Sequence, residues 1–172
     1  MNFSIVGTMR HLCAPQHELS CSWLLWRQLL ERLRERGHYG RHESGAFLIG
    51  ERREGRARIT QFVLYDDLDP KCLETGIVHF DGRYFGALWE LCKESGLSVV
   101  ADVHTHPEGS QQSSSDRANP MISRSGHIAL IVPRFAMEPV IRSQVGIYRY
   151  EGSKRWSPVP AENRSVFFHI GV

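Results

Sequence analysis

Two histidines two residues apart, His104 and His106, close the β-branched run Val99-Val100-Ala101-Asp102-Val103 and are followed at once by Pro107. A short apolar run bounded by a turn signal reads as a buried strand. Side chains alternate faces along a strand, so residues two apart share one. The spacing therefore aims both imidazoles the same way, near enough to hold one metal ion, and Pro107, which has no N–H for a ladder, ends the strand. A hydrolytic zinc site takes three protein ligands and leaves a fourth position open. Asp116 is the candidate third ligand, because the Gly- and Ser-rich loop from Glu108 to Ser115 can swing its carboxylate back toward the strand end. Zinc chemistry also needs a base for the water it activates. Glu43 stands at the mouth of the apolar run Gly45-Ala46-Phe47-Leu48-Ile49, where a carboxylate can be held dry and aimed at that water.

Glu43 upstream, then His104-x-His106-Pro107, then Ser113-x-x-Asp116 is similar to the JAMM (MPN+) signature of JAB-domain zinc metalloproteases. The segments Tyr65-Asp66-Asp67-Leu68-Asp69-Pro70 and Ala101-Asp102-Val103-His104 resemble the bacterial branch in particular. The likeness runs from the strand after Glu43 to the terminal strands. It implies a deaminase-like JAB/MPN fold, zinc held by His104, His106 and Asp116, Glu43 as general base, and Ser113 steadying the oxyanion. The implied activity is hydrolysis of the isopeptide or peptide bond after the C-terminus of a ubiquitin-like protein. The implied partners are such a protein, or one conjugated through its C-terminus, together with E1-like and E2-like proteins of the same operon. One bacterial group of this kind belongs to CBASS-type antiphage systems, in which it would release a conjugated cyclic-nucleotide synthase.

Two departures from the pattern matter. Five residues separate Pro107 from Ser113, where many family members have one more, so both Ser113 and Ser114 are candidates for the oxyanion position. Asp102 stands where the eukaryotic branch carries an aromatic; it shares the face of His104 and is expected to orient an imidazole. Three alternatives use the same residues differently. One is a protease that processes a ubiquitin-like or sulfur-carrier precursor, and another is a non-catalytic MPN-type scaffold. The third, a DNA-associated protein of the RadC type, is disfavoured because the loop after Pro107 lacks that group's Ser-Gly-Asp-Pro-Thr-Pro run.

The elements that must position these residues follow from composition and periodicity. A chain of 172 residues is long enough to bury about 70% of its unfolded surface as one domain, 1–172. Cys13, Cys21, Cys72 and Cys92 have no C-x-x-C spacing and read as free thiols in a reducing compartment, which predicts a cytoplasmic protein. A net charge of +2 is too mild for a dedicated nucleic-acid binder. No apolar run approaches the roughly 20 residues that span a bilayer, and the first eight residues lack the pattern of a signal peptide.

Trp23, Trp26, Leu29, Leu30 and Leu33 recur at helical spacing, which predicts a helix from Ser20 to about Arg36, with Ser20 or Ser22 as N-cap and Gly37 as its stop. The residues before it, 1 to about 19, read as an edge strand or an arm. Ser44 to Gly50 and Ala57 to Tyr65 predict a hairpin, and Asp66, Asp67 and Asp69 a solvated connection, since no EF-hand loop is completed. A second helix is expected from about Asp81 to Glu94, stopped by Gly96, as the crossover into the histidine strand. Ile128 to Pro133, Val145 to Tyr150 and Ser165 to Ile170 read as strands, and His127 as a structural residue. The sum is an α/β fold with a mixed central sheet flanked by helices, one edge of which is expected to accept an extended tail as an added strand.

Overall fold

The computed structural model describes residues 17–137 and 139–171. Strand β1 spans Leu19–Ser22, so the chain has already paired where the helix was expected to begin, and helix α1 runs Trp23–Arg36. Ser22 is its cap: the hydroxyl accepts from the Leu25 N–H at 3.2 Å, satisfying one of the donors that a helix start leaves open. Trp26, Leu29 and Leu33 are its buried stripe, and Gly37 ends it. The rest of the expected N-terminal strand or arm, along with Cys13, lies outside the described residues.

The predicted hairpin is present as β2, Gly45–Arg53, and β3, Arg56–Leu64. Its two-residue turn, Glu54-Gly55, has positive φ at both positions (49° and 78°), the twist that closes strands tightly. After β3 come a short helix α2, Tyr65–Leu68, a 3-10 turn at Gly82–Tyr84 and helix α3, Phe85–Ser95. Gly96 takes the left-handed cap at φ 67°, as expected for its position. Then follow β4, Ser98–Thr105; α4, Ser114–Ala118; β5, Ile128–Val132; β6, Gly146–Gly152; β7, Arg155–Pro158; α5, Arg164–Phe167; and β8, Phe168–Gly171.

The eight strands form one mixed sheet in the order β7-β6-β5-β4-β2-β3-β1-β8. β3 and β4 are each antiparallel to the β2 that lies between them, so they run parallel to each other and α3 is their crossover. β4 and β5 are adjacent and parallel. Helices cover both faces: Ala46, Leu48, Val103 and Leu130 pack with the α1 stripe, while Phe47 and Ile49 pack on the other side with Leu88 and Cys92 of α3. All five residues of β5 are buried, the signature of a strand covered on both faces. No helix among the described residues is long and apolar enough to cross a membrane.

Three sequence expectations are corrected. The terminal strand begins only at Phe168, because Ser165 to Phe167 turn as α5. β7 is an addition to the expected strands: the chain turns from β6 at Ser153-Lys154, φ 52° and 59°, just after Gly152 at φ 89°, and only the short, polar Arg155–Pro158 follows as strand. The acidic connection is more than solvated. Asp69 is buried and accepts the backbone N–H groups of Lys71 and Asp81 at 3.0 and 2.9 Å, donors that no ladder serves, while Asp66 and Asp67 pair with Arg36 of α1.

Candidate metal centre

Three side chains converge at the C-terminal end of β4. His104 lies in the strand and His106 just past it, and their Nε2 atoms are 3.0 Å apart. Asp116 lies in the first turn of α4, with Oδ1 3.5 Å from His104 Nε2 and Oδ2 3.2 Å from His106 Nε2. Donors about 2.0–2.2 Å from one ion in tetrahedral array stand about 3.3 Å from each other. The separations lie around that value, the two to Asp116 through different carboxylate oxygens, and one donor atom from each residue lies within 4.8 Å of the other two, so the three side chains could hold a metal ion.

His106 and Asp116 are each held by neighbouring backbone. His106 donates its N–H to Val132 O at 2.9 Å and accepts from Phe135 N–H at 2.9 Å. Phe135 belongs to a turn, Arg134 to Ala136, whose three non-glycine residues all have positive φ (52°, 50° and 57°), a conformation retained only where surrounding structure enforces it. Asp116 is held by a capping box rather than by a pliant loop. Its backbone N–H donates to Ser113 Oγ at 3.1 Å, and its own Oδ2 accepts the Ser113 N–H at 2.6 Å. The Gly- and Ser-rich composition of the loop suggests flexibility, but the Ser113-x-x-Asp116 spacing within it is itself a capping signature. Ser114, the other oxyanion candidate, is the first helical residue and exposed.

Electrostatics tie the group together. Burial works to lower the His104 pKa, but the Asp116 carboxylate, with Asp102 and Glu43 behind it, raises it above the ordinary value. Burial likewise works to raise Asp116, yet its hydrogen bonds with His104 and His106 hold it well below the usual carboxylate range. The third carboxylate, Glu43, presents Oε1 at 3.9 Å from His106 Nε2. Its Oε2 accepts the Val78 N–H at 3.3 Å, and its backbone N–H donates to Gly76 O at 3.0 Å, so the side chain is clamped to the segment before α3. Glu43, His104, His106 and Asp116, the residues picked out by type and spacing, therefore come together at one point.

Other positioning residues carried no signal of their own. Ser44 and Thr105 lock the Glu43 segment to the histidine strand: Ser44 N–H donates to Thr105 Oγ1 at 3.0 Å, Thr105 N–H to Ser44 O at 2.9 Å, and Ser44 Oγ to Leu33 O at 2.6 Å. All of this is buried. Asp102 does orient an imidazole, but it is that of His127, whose Nε2–H donates to Oδ1 at 2.5 Å; Oδ2 accepts the Tyr65 hydroxyl at 3.0 Å. The reason lies in the parallel register. Asp102 pairs with Ala129, and His127 is two residues before Ala129 on the same face, whereas His104 is a full two-residue rise away along β4. Burial, and then the neighbouring Asp102 charge, push the Tyr65 pKa well above its ordinary value, so the phenol stays a donor. Tyr65 reaches Asp102 only because Gly45 is bare: a Cβ there would stand 2.2 Å from Tyr65 Cε2.

No protein-family model matches the chain. Among curated proteins it is similar to "Probable metalloprotease y4jG" of Sinorhizobium fredii (strain NBRC 101917 / NGR234), with 27% identity over 129 residues that cover 75% of this chain and 79% of that one. Among solved structures it resembles protein DSY2949 from Desulfitobacterium hafniense, at TM-score 0.61 and 14% identity, covering 82% of this chain and 89% of the other. It also resembles a protein from Salinibacter ruber (strain DSM 13855), at TM-score 0.53 and 16% identity, covering 82% and 88%. Those two likenesses are of fold.

Proposed function

We propose that this chain is a zinc-dependent peptidase of the JAMM kind on a JAB/MPN fold, with His104, His106 and Asp116 as ligands, Glu43 as general base and Ser113 beside the developing oxyanion. The observation that carries the reading is the convergence of two imidazoles and a carboxylate at metal-binding separations, with a second carboxylate 3.9 Å from one of the imidazoles. The similarity to a protein named as a probable metalloprotease supports the hydrolase class. A zinc ion at this point supplies Lewis-acid polarisation of the scissile carbonyl and a water whose pKa falls to about 7.

The remaining work belongs to the chain. Glu43 keeps Oε2 on the Val78 N–H and leaves Oε1, the oxygen nearer His106, to take the proton from the attacking water and to return it to the leaving amine. The Ser113 hydroxyl spends a lone pair on the Asp116 N–H, so its proton remains to donate toward negative charge growing on the carbonyl oxygen. The substrate we favour is the bond after the C-terminus of a ubiquitin-like protein or of a protein conjugated through that end, made by E1-like and E2-like partners, with release of a cyclic-nucleotide synthase in antiphage defence as the leading context. Processing of a ubiquitin-like or sulfur-carrier precursor uses the same chemistry. A scaffold would not need a carboxylate clamped beside three converged ligands. The unpaired, buried Cys21, Cys72 and Cys92 support a reducing, cytoplasmic setting.

The test is metal content by mass spectrometry of the wild type and of the His106→Ala and Glu43→Ala variants, followed by cleavage of a ubiquitin-like tail fusion. The expectation is about one zinc per chain in wild type and Glu43→Ala, as a three-ligand site requires, loss in His106→Ala, and cleavage by wild type alone. A wild type that takes up no zinc when the metal is supplied overturns the reading.

A further inference from the structure

Beside His104 and Asp116 opens a cavity of about 280 Å³. Val78, Phe80, Phe85, Met121, Ala129 and Trp156 are among the residues that line it. The walls are preformed. Phe80 is held edge-on by Phe47 at 5.1 Å between ring centroids and abuts Phe85 at the same distance. Trp156 packs edge-on against Tyr150 at 4.9 Å, and its Nε1–H donates to Arg117 O at 3.3 Å, which ties the wall to the helix that carries Asp116. Asp102 also borders the space, but it is 2% exposed and each of its oxygens already holds a donor, from His127 and Tyr65. The lining is mixed: beside the carbon of those walls stand polar groups of His79, Gln112, Ser115 and Asn119, and the preformed aromatic rings are what an apolar side chain would pack on.

At about 280 Å³ the cavity lies at the small end of ligand-sized cavities, which run to about 300–1,000 Å³, with room for one large side chain. Its border is shared with two ligands of the candidate centre, and Val78 also donates to the base Glu43. A side chain seated here therefore belongs to a residue next to the reacting bond. Resting on the peptidase reading above, the geometry points to a specificity pocket for a bulky apolar residue, of the Phe, Leu or Met class, flanking the scissile bond. A tail with glycine at that place leaves the cavity empty and loses the burial.

The test uses ten-residue peptides of Ala, Ser and Thr carrying a single Phe, Leu or Gly, incubated with the zinc-loaded wild type, with cleavage sites read by mass spectrometry. Cleavage next to Phe or Leu is expected with kcat/KM at least about tenfold above the Gly peptide. Met121→Trp and Ala129→Leu fill the space and are expected to collapse that ratio toward one while retaining zinc; two variants guard against one failing to fold. Equal rates for Phe and Gly peptides, or a ratio unmoved in both variants, overturn the pocket while leaving the peptidase reading intact. If no peptide is cleaved, the peptidase reading is decided by the zinc content and tail-fusion cleavage above, and the pocket by anisotropy of fluorescein-labelled Phe and Gly peptides on zinc-loaded Glu43→Gln. Tighter binding of the Phe peptide, abolished by adding Met121→Trp, supports the pocket; equal or absent binding overturns it.

Discussion

Replacing Gly45 with alanine tests how the sheet supports the candidate centre. The added Cβ would stand 2.2 Å from Tyr65 Cε2, 2.5 Å from Cδ2 and 2.8 Å from Val103 O, closer than any unstrained contact. Tyr65 is fully buried against Phe47 and Phe80, so the ring can yield only by moving its neighbours. Overpacking of this sort costs about 1–3 kcal/mol. A displaced ring also takes its hydroxyl off Asp102, and a buried hydrogen bond to a charged group contributes about 1.5–3 kcal/mol. The sum, about 2.5–6 kcal/mol, is a large share of the roughly 5–15 kcal/mol that holds a domain folded. At about 2–4 °C per kcal/mol for this size, Tm should fall by about 5–24 °C. Urea and thermal unfolding of the chelator-treated protein measure it. Tyr65→Phe removes the hydrogen bond alone, and the double variant should cost less than the two singles added, by about 1.5–3 kcal/mol, because the bond can be lost only once. A Gly45→Ala protein within about 0.5 kcal/mol of wild type, or strict additivity with Tyr65→Phe, would refute this account.

Asp102→Asn should lower stability by about 1.5–3 kcal/mol, since His127 and Tyr65 lose a charged acceptor, yet leave zinc stoichiometry unchanged because neither ligand ring bonds to it; melting curves beside metal analysis read both. Ser113→Ala removes a helix cap worth about 0.5–2 kcal/mol and frees Asp116, so zinc affinity in a chelator competition should weaken by about 2- to 30-fold. Ser114→Ala, which touches neither side of the capping box, should change it less than about twofold. Burial raises the Cys21 and Cys72 thiols to about 12. Because the thiolate is the reactive form, only about one part in ten thousand is available at pH 8. A disulfide reagent should therefore leave both unmodified in the native protein at pH 8 and label them on unfolding; rapid native labelling of either would contradict their burial.

The sequence alone sufficed for whatever depends on local pattern. The two-residue period of a strand puts His104 and His106 on one side, the helical recurrence of Trp26, Leu29 and Leu33 marks the buried stripe of α1, and Gly37 and Gly96 mark where helices stop. Residue chemistry did the same for Glu43 and Asp116, since few other side chains can ligate or act as base in such company. Where the local pattern misled, a long-range contact had changed a residue's task. Asp102 serves His127 because a parallel register, set by the order of strands in the sheet, brings β5 alongside. Gly45 reads as an ordinary strand residue until Tyr65 is laid against it.

The Ser113-x-x-Asp116 spacing fits a cap as well as a chemical role, and the start of α4 at Ser114 shows that the cap is made. The left-handed run Arg134 to Ala136 carries no glycine, so the support behind His106 left no trace in composition, while β7 is too short and polar at Arg155–Pro158 to show as a strand even with Gly152 at its turn. The sequence by itself therefore determined which side chains have the chemistry to ligate a metal or accept a proton. Only the tertiary structure decided how they are held and what lies beside them. The clamp on Glu43, the Ser44 to Thr105 lock and the aromatic cavity each join residues tens of positions apart in the chain, and no local periodicity encodes a distance of that kind.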